Sequence, residues 1–284
     1  MSAPCTALVL SGAVAKGAFE AGALQVLTRA RIPIVSIVGA SAGALNGAVL
    51  AAGIHAGRAN EAADLLVRTW DERGTWGNAI DVDLRDLIRG RGLSTSRKLG
   101  ALLRTSIEAF PCGTHPIDLR VVVTAAAGDP SVRQTERRTS FESVAAFTGA
   151  DFDTPAARER LCTTVTASAA FPGLYSPIAV PALGGDCLDG GAVNHAPIGH
   201  ALAGHPEIRR VIVVTHVPAL VEPPRLRGLD LIGHVGEILV TERLYRDLRA
   251  ARRVNRQLAT LERLRTEGSL PSAQLAAVKR ALGL

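Results

Sequence analysis

Aromatic residues are scarce: six Phe, two Tyr and two Trp make up 4% of the 284 residues. Proteins that hold single-stranded nucleic acid stack bases on aromatic rings. No nucleic-acid motif accompanies these few, so nucleic acid is not expected as a partner. Cysteine is equally sparse. Cys5, Cys112, Cys162 and Cys187 are far apart with no C-x-x-C pair, which points to neither a zinc site nor a disulfide framework. Reduced, mostly buried thiols in a cytosolic protein are the simpler expectation. The N-terminus lacks a basic region, the first Lys being Lys16, so no secretory leader is read there and a cytoplasmic location is expected. Charge is missing altogether from Ile32 to Ile54, a stretch long enough to span a bilayer. Pro33, Ser36, Ser41, Asn46 and several glycines interrupt it, and its character changes from strand to helix. A buried strand followed by a buried helix explains it better.

Apolar residues make up 47% of the chain against 20% charged, enough for a sizeable core in one large α/β domain. No repeat or low-complexity linker divides the chain, so residues 1–284 are read as one domain. Within it, a variable cap-like region is expected at about 55–115, where core patterning is weakest, and a basic helical part at about 229–284. The net charge of +6 favours anionic surfaces.

The chain turns on Ile34 to Leu50. A β-branched run, Ile34-Val35-Ser36-Ile37-Val38, reads as a buried strand. An Ala- and Leu-rich run after Gly43 reads as a helix. Between them lies Gly39-Ala40-Ser41-Ala42-Gly43, a G-x-S-x-G nucleophile elbow. A sharp strand-to-helix turn strains the serine backbone and lifts its hydroxyl clear of the sheet. The positions two before and two after must be small because the backbones nearly touch. The helix that follows aims its first N–H groups at the same point.

Upstream, Thr6 to Ser11 reads as a first strand, Gly12 to Gly17 as a turn, and Ala18 to Arg31 as a helix with Phe19, Ala23, Val26, Leu27 and Ala30 inward. The turn is neither a Walker A loop nor a G-x-G-x-x-G fingerprint, but its N–H groups suit an oxyanion. Downstream, a helix is expected at Asn60–Glu72, a charged loop at Gly74–Gly92, and a helix capped by Ser94 that runs to about Ala109. A strand follows at Leu119–Ala125, then a polar edge hairpin at Gly128–Arg138, a helix opened by Thr154-Pro155, a run from Leu183 that leads into Asp189-Gly190-Gly191, and a further strand at Val211–Thr215. Leu229–Arg265 reads as one or two helices. Thr241–Arg265 holds eight Arg against Glu242, Asp247 and Glu262. That composition fits a solvated basic face or a membrane-surface helix.

A serine needs a base at neutral pH. A Ser-His-Asp triad would draw on His55, His115, His195, His200, His205, His216 or His234, of which only His216 follows a strong strand. A Ser-Asp dyad would draw on Asp189, which has Gly190-Gly191 leaving room beside it, with Asp186 as a rival. Asp-Gly is also ordinary turn chemistry.

Leu8-Val9-Leu10-Ser11-Gly12 through Lys16-Gly17-Ala18-Phe19, then Gly39-Ala40-Ser41-Ala42-Gly43, then Asp189-Gly190-Gly191 with Asn194 and Pro197, resemble in order the blocks of the patatin-like phospholipase family. Ala167-Ser168-x-Ala170-x-Pro172 resembles a fourth segment. The resemblance implies a three-layer α/β/α fold with a mostly parallel sheet. It also implies Ser41 as nucleophile and Asp189 as general base, with an oxyanion hole from the backbone of Gly12, Ala13, Val14 and Ala15. No catalytic histidine, metal or cofactor is implied. The substrate is then a lipid or other carboxylic ester of the phospholipase A or lysophospholipase type, with peripheral contact to an anionic membrane. One departure stands out: Ala13-Val14 replaces family glycines, and losing one donor would cost on the order of 3 kcal/mol. Two alternatives therefore stay open, a weak or inactive relative that binds lipid or membrane and a Ser-His-Asp esterase. Nothing in the sequence speaks to oligomeric state.

Overall fold

The computed structural model describes residues 4–12, 17–73, 95–126, 141–216, 229–269 and 271–281. Contacts divide the chain into two compact units, Met1–Arg225 and Leu226–Leu284. The first unit is built on a mostly parallel sheet flanked by helices. Strands β1 (Thr6–Leu10), β2 (Ile34–Ala40) and β3 (Asp118–Ala125) carry the β-branched runs. With β7 (Arg210–Val214) they lie parallel in the order β7-β1-β2-β3. Beyond them β4 (Glu142–Thr148) runs antiparallel along β3. The last two residues of β3 also meet β6 (Gly185–Leu188), which pairs with β5 (Ile178–Val180). Side chains alternate across a strand, and both faces of the centre are covered. Leu8, Leu10, Ile37 and Leu119 are fully buried, and so are Ala7, Val9, Val38 and Val122.

The uncharged stretch is β2 followed by α2 (Ala42–His55), in which 12 of 14 positions are buried. Small residues let α2 lie close to its neighbours. A Cβ on Gly47 would sit 3.0 Å from the Ile37 side chain, and one on Gly53 would sit 2.2 Å from Ala62. A helix buried on nearly all sides tolerates no charge, so its lack of charge reflects burial in protein. Among the described residues no helix is long and apolar enough to cross a membrane.

Helix α1 spans Gly17–Arg29, and its inward face differs from the expected one. Glu20, Ala21, Leu24 and Thr28 are buried, whereas Phe19 and Val26 are exposed and so is Ala30. The face is turned by about one residue because a buried carboxyl, Glu20, finds partners beneath the helix. Apolar patterning alone ranks Phe and Val above Glu.

The expected cap-like region contributes α3 (Ala59–Arg73) and α4 (Arg97–Glu108), both packed against α2. The loop expected at Gly74–Gly92 lies outside the described residues. Ser96, not Ser94, precedes α4, and it makes no side-chain cap bond; Ser94 is also outside the described residues, as is the hairpin expected at Gly128–Arg138. Helix α5 (Pro155–Ser168) begins as its sequence indicates, Thr154 Oγ1 accepting from Ala157 N at 3.3 Å. In the second unit, Leu229–Thr266 is a single helix, α6, followed by α7 (Ser272–Ala281).

Candidate active site

The carboxyl ends of parallel strands are where α/β sheets place ligands, and β2 ends at Ser41. Its backbone has φ 55° and ψ −127°, a positive φ that a non-glycine residue adopts only under constraint. The constraints are visible. A Cβ on Gly39 would lie 2.6 Å from the Gly43 carbonyl oxygen, and one on Gly43 would lie 2.3 Å from the Leu10 oxygen. Ser41 N–H donates to Ser168 Oγ at 3.0 Å, and that hydroxyl in turn donates to Val122 O at 2.6 Å. Ser168 is fully buried at the end of α5, so its hydroxyl ties the elbow to β3.

The Ser41 hydroxyl donates to Asp189 Oδ2 at 2.7 Å. Asp189 follows β6, where Gly191 N–H donates to its Oδ1 at 2.7 Å. Asp189 N–H donates to Ala170 O at 3.0 Å, and Thr124 Oγ1 donates to its carbonyl at 2.7 Å. A side chain at Gly190 would meet the Val122 carbonyl at 2.0 Å, so only glycine lets this turn lie against β3. Burial pushes the Asp189 carboxyl up to about 6, against the lowering pull of its bonds from Ser41 and Gly191. Asp186, by contrast, is exposed.

Of the expected oxyanion segment only Gly12 is described, and it lies beside Ser41. Gly12 N–H donates to His195 O at 2.8 Å, so that N–H is committed and corrects its expected place among the free donors. Ala13, Val14 and Ala15 lie outside the described residues. At the start of α2 no side chain of Ser41 caps the helix. Its first-turn N–H groups, those of Ala42 and Gly43, have no partner within the helix.

The histidines separate clearly. The His195 imidazole lies against Gly12, where a Cβ would sit 2.8 Å from its Nδ1 and 3.3 Å from Ser41 Cβ. Burial, with His216 nearby, pulls it down to about 4, so it is a neutral ring at working pH. The rings of His195 and His216 meet edge to face, their centroids 5.7 Å apart. His55 is bound by His115 O and Asp153, His200 by Glu142, and His205 by Asp118 and Glu207. None of these three engages the Ser41–Asp189 pair. His115 packs under Gly57, beside a cavity of about 620 Å³ lined also by Arg31, Ile34 and Arg58, which lies at the opposite end of β2 from Ser41. The side chain of His234 is outside the described residues.

Ser168 and Thr124 were not singled out by residue chemistry. The Ala-Ser-x-Ala-x-Pro block carried Ser168 as a resemblance without a role, and nothing local marks Thr124.

A sequence profile described as patatin-like phospholipase matches residues 8–202, which include Ser41 and Asp189. No curated protein matches the chain. Among solved structures, VipD from Legionella pneumophila is 14% identical with a TM-score of 0.36, covering 69% of this chain and 47% of its own. Two structures of ExoU with SpcU, from the type III secretion system of Pseudomonas aeruginosa, are similar at 20% and 19% identity. Their TM-scores are 0.35 and 0.32; they cover 87% and 64% of this chain and 52% and 40% of their own. The chain thus spans about half the length of the solved chains it matches.

Proposed function

The chain belongs to the patatin-like phospholipase family, a family of lipid acyl hydrolases, and on that premise we propose that it cleaves a lipid carboxylic ester through a Ser41–Asp189 dyad and a covalent acyl-enzyme. The supporting observation is the direct 2.7 Å bond from Ser41 Oγ to a fully buried Asp189 carboxylate. A carboxylate held near 6 is mostly ionised at neutral pH yet more basic than a solvated one. Asp189 Oδ2 takes the hydroxyl proton as Ser41 Oγ attacks the ester carbonyl carbon. Backbone N–H groups of Ala13 to Ala15, joined by those at the start of α2, meet the oxyanion. The tetrahedral intermediate collapses with cleavage of the acyl C–O bond. The leaving alcohol receives the proton from Asp189, and water, deprotonated by Asp189, then releases the fatty acid and restores Ser41. The substrate is of the phospholipase A or lysophospholipase type.

A burst assay with a short-chain p-nitrophenyl ester tests this reading. Ser41→Ala and Asp189→Asn each abolish turnover, while His195→Ala retains most of it. A His195→Ala loss as severe as that of Ser41→Ala would favour the Ser-His-Asp alternative, and undiminished turnover in Ser41→Ala would remove the serine from the mechanism.

A second reading, lipid or membrane binding, draws on α6. Arg246, Arg249, Arg253, Arg256 and Arg263 are exposed, and their spacing of three, four, three and seven residues sets them on one helix face. That face suits an anionic bilayer, which also presents the substrate of a lipid hydrolase. Co-sedimentation with vesicles rich in anionic lipid, lost on replacing these arginines with glutamine and weakened by salt, is the expected result. Binding indifferent to salt would remove the electrostatic part.

A further inference from the structure

The turn between β1 and α1 is anchored at two points that the sequence did not reveal. At its near end Gly12 N–H is held by the His195 carbonyl at 2.8 Å. At its far end the Gly17 carbonyl accepts Asn46 Nδ2 at 3.0 Å. The same amide nitrogen donates to Glu20 Oε2 at 3.0 Å, and Asn46 Oδ1 accepts Trp70 Nε1 at 2.8 Å. The Trp70 ring packs against Gly17, where a Cβ would come within 2.2 Å of it. One amide in the second turn of the elbow helix thus joins three elements: the first turn of α1, the elbow helix α2 and helix α3.

We propose that Asn46, with Glu20 and Trp70, forms a positioning cluster that fixes the restart of the chain at Gly17 relative to Ser41, and so sets the span of the oxyanion segment. Three observations carry this. All of the acceptors and donors of the Asn46 side chain are engaged within the cluster, at 1% exposure, although an apolar residue would suit a helix as buried as α2. Asn46 lies five residues after Ser41 on a helix whose path the elbow contacts already fix. Glu20 is a fully buried carboxyl, and burying such a group is costly unless it is hydrogen-bonded, as Oε2 is to Asn46. Its Oε1 has no hydrogen-bond partner of good geometry among the described residues, although the Ser11 backbone lies close enough to oppose the upward shift in its acidity. Burial dominates and raises Glu20 to about 8. Glu20 is therefore a neutral carboxylic acid at pH 7, and glutamine is its faithful mimic.

The cluster touches no reacting atom. It acts through the backbone at Gly17, and a displacement of about 1 Å at a catalytic donor is enough to cost about a hundredfold in rate.

The inference rests on the serine-hydrolase reading, and its test separates the two. Wild type, Ser41→Ala, Asn46→Ala, Glu20→Ala, Glu20→Gln and Trp70→Phe are compared in the p-nitrophenyl ester assay. Amide hydrogen exchange is followed over the peptide covering residues 11–20, with thermal unfolding alongside. Expected are a kcat about ten- to a hundredfold lower in Asn46→Ala and Glu20→Ala with KM within about twofold, rescue by Glu20→Gln, and a smaller loss in Trp70→Phe, which keeps an aromatic ring, smaller than the indole, and drops the Nε1 donor. Exchange over 11–20 accelerates in Asn46→Ala and Trp70→Phe. If those two folded variants exchange as wild type over 11–20, the positioning role is wrong whether or not the enzyme turns over ester. Failure of Glu20→Gln to recover over Glu20→Ala also overturns it. Retained activity in Ser41→Ala instead sinks the hydrolase reading while leaving the exchange result to judge the cluster.

Discussion

The elbow and the two described ends of the β1–α1 connection, Gly12 and Gly17, are held chiefly by different means. At the elbow, and at the Asp189 turn facing it, the contacts are backbone on backbone: Gly39 against Gly43 and Gly43 against Leu10 at the elbow, Gly190 against Val122 at the turn. No side chain fits there, and the strain at Ser41 is locked in by close approach. At the ends of the β1–α1 connection the anchors are hydrogen bonds, His195 O to Gly12 and Asn46 to Gly17. Close approach specifies residue type strictly, and so leaves a signature in sequence. A side-chain anchor leaves none, because any residue able to reach the same atoms can serve.

The largest effect is expected where backbones touch. Gly43→Ala puts a methyl 2.3 Å from the Leu10 oxygen, and neither backbone can retreat without breaking β1–β2 pairing. It costs more than about 3 kcal/mol and removes activity with it. Circular dichroism melts and the ester assay check both, and a stable, active Gly43→Ala would mean the elbow is held by its hydrogen bonds instead.

The next effect belongs to the buried base. Asp189 moves from 3.8 to about 6 on folding, through burial. A raised folded value means the protonated form is favoured in the native state. The associated stability is present below about pH 4 and is lost as pH rises towards 6, a loss of about 3 kcal/mol in all. Asp189→Asn has no such proton, so its melting temperature rises relative to wild type between pH 4 and 6 and stays level above that. The wild-type kcat/KM rises through about pH 6 as the base ionises. An acid limb near pH 4 would mean that the carboxylate is solvated and the enclosed dyad is not what works.

This contrast also explains what the sequence could convey. The G-x-S-x-G spacing, the Asp-Gly-Gly turn and the strands around them were legible because each residue is dictated by a neighbouring backbone or by continuous burial. The inward face of α1 was misread because Glu20, polar by type, is buried by virtue of Asn46, a partner 26 residues away. Antiparallel β4 went unassigned, as Glu142 to Thr148 lacks the continuous burial of the central strands, with Ala146 and Thr148 exposed. Ser168 lies 127 residues from Ser41 in the chain, and no local pattern links a helix-end hydroxyl to a distant N–H.

Ser168→Ala therefore tests whether close approach alone can hold the elbow. The substitution leaves Ser41 N–H and Val122 O unpaired in a buried site, which costs about 1–3 kcal/mol. Releasing the strained Ser41 backbone lowers kcat by about tenfold or more with little change in KM. A kcat equal to wild type would show the glycine contacts to be sufficient by themselves.

The smallest effect is expected at Thr124, and its size follows from redundancy. Thr124 Oγ1 makes one of five bonds on Asp189 among the described residues, alongside Asp189 N–H to Ala170 O, Ala192 N–H to the Asp189 carbonyl, and Gly191 N–H and Ser41 Oγ to the carboxylate. Ser168, in contrast, is the one side chain bonded to the Ser41 N–H among the described residues. Thr124→Val keeps shape and removes one hydroxyl; the Asp189 carbonyl loses that bond but keeps the one from Ala192 N–H, and the remaining bonds hold the turn. The expected cost is about 1 kcal/mol with a change in kcat of less than about threefold, read by urea unfolding and the same ester assay. A loss matching that of Ser168→Ala would mean the Asp189 turn is balanced on this one bond, and the two halves of the dyad would then be held equally lightly.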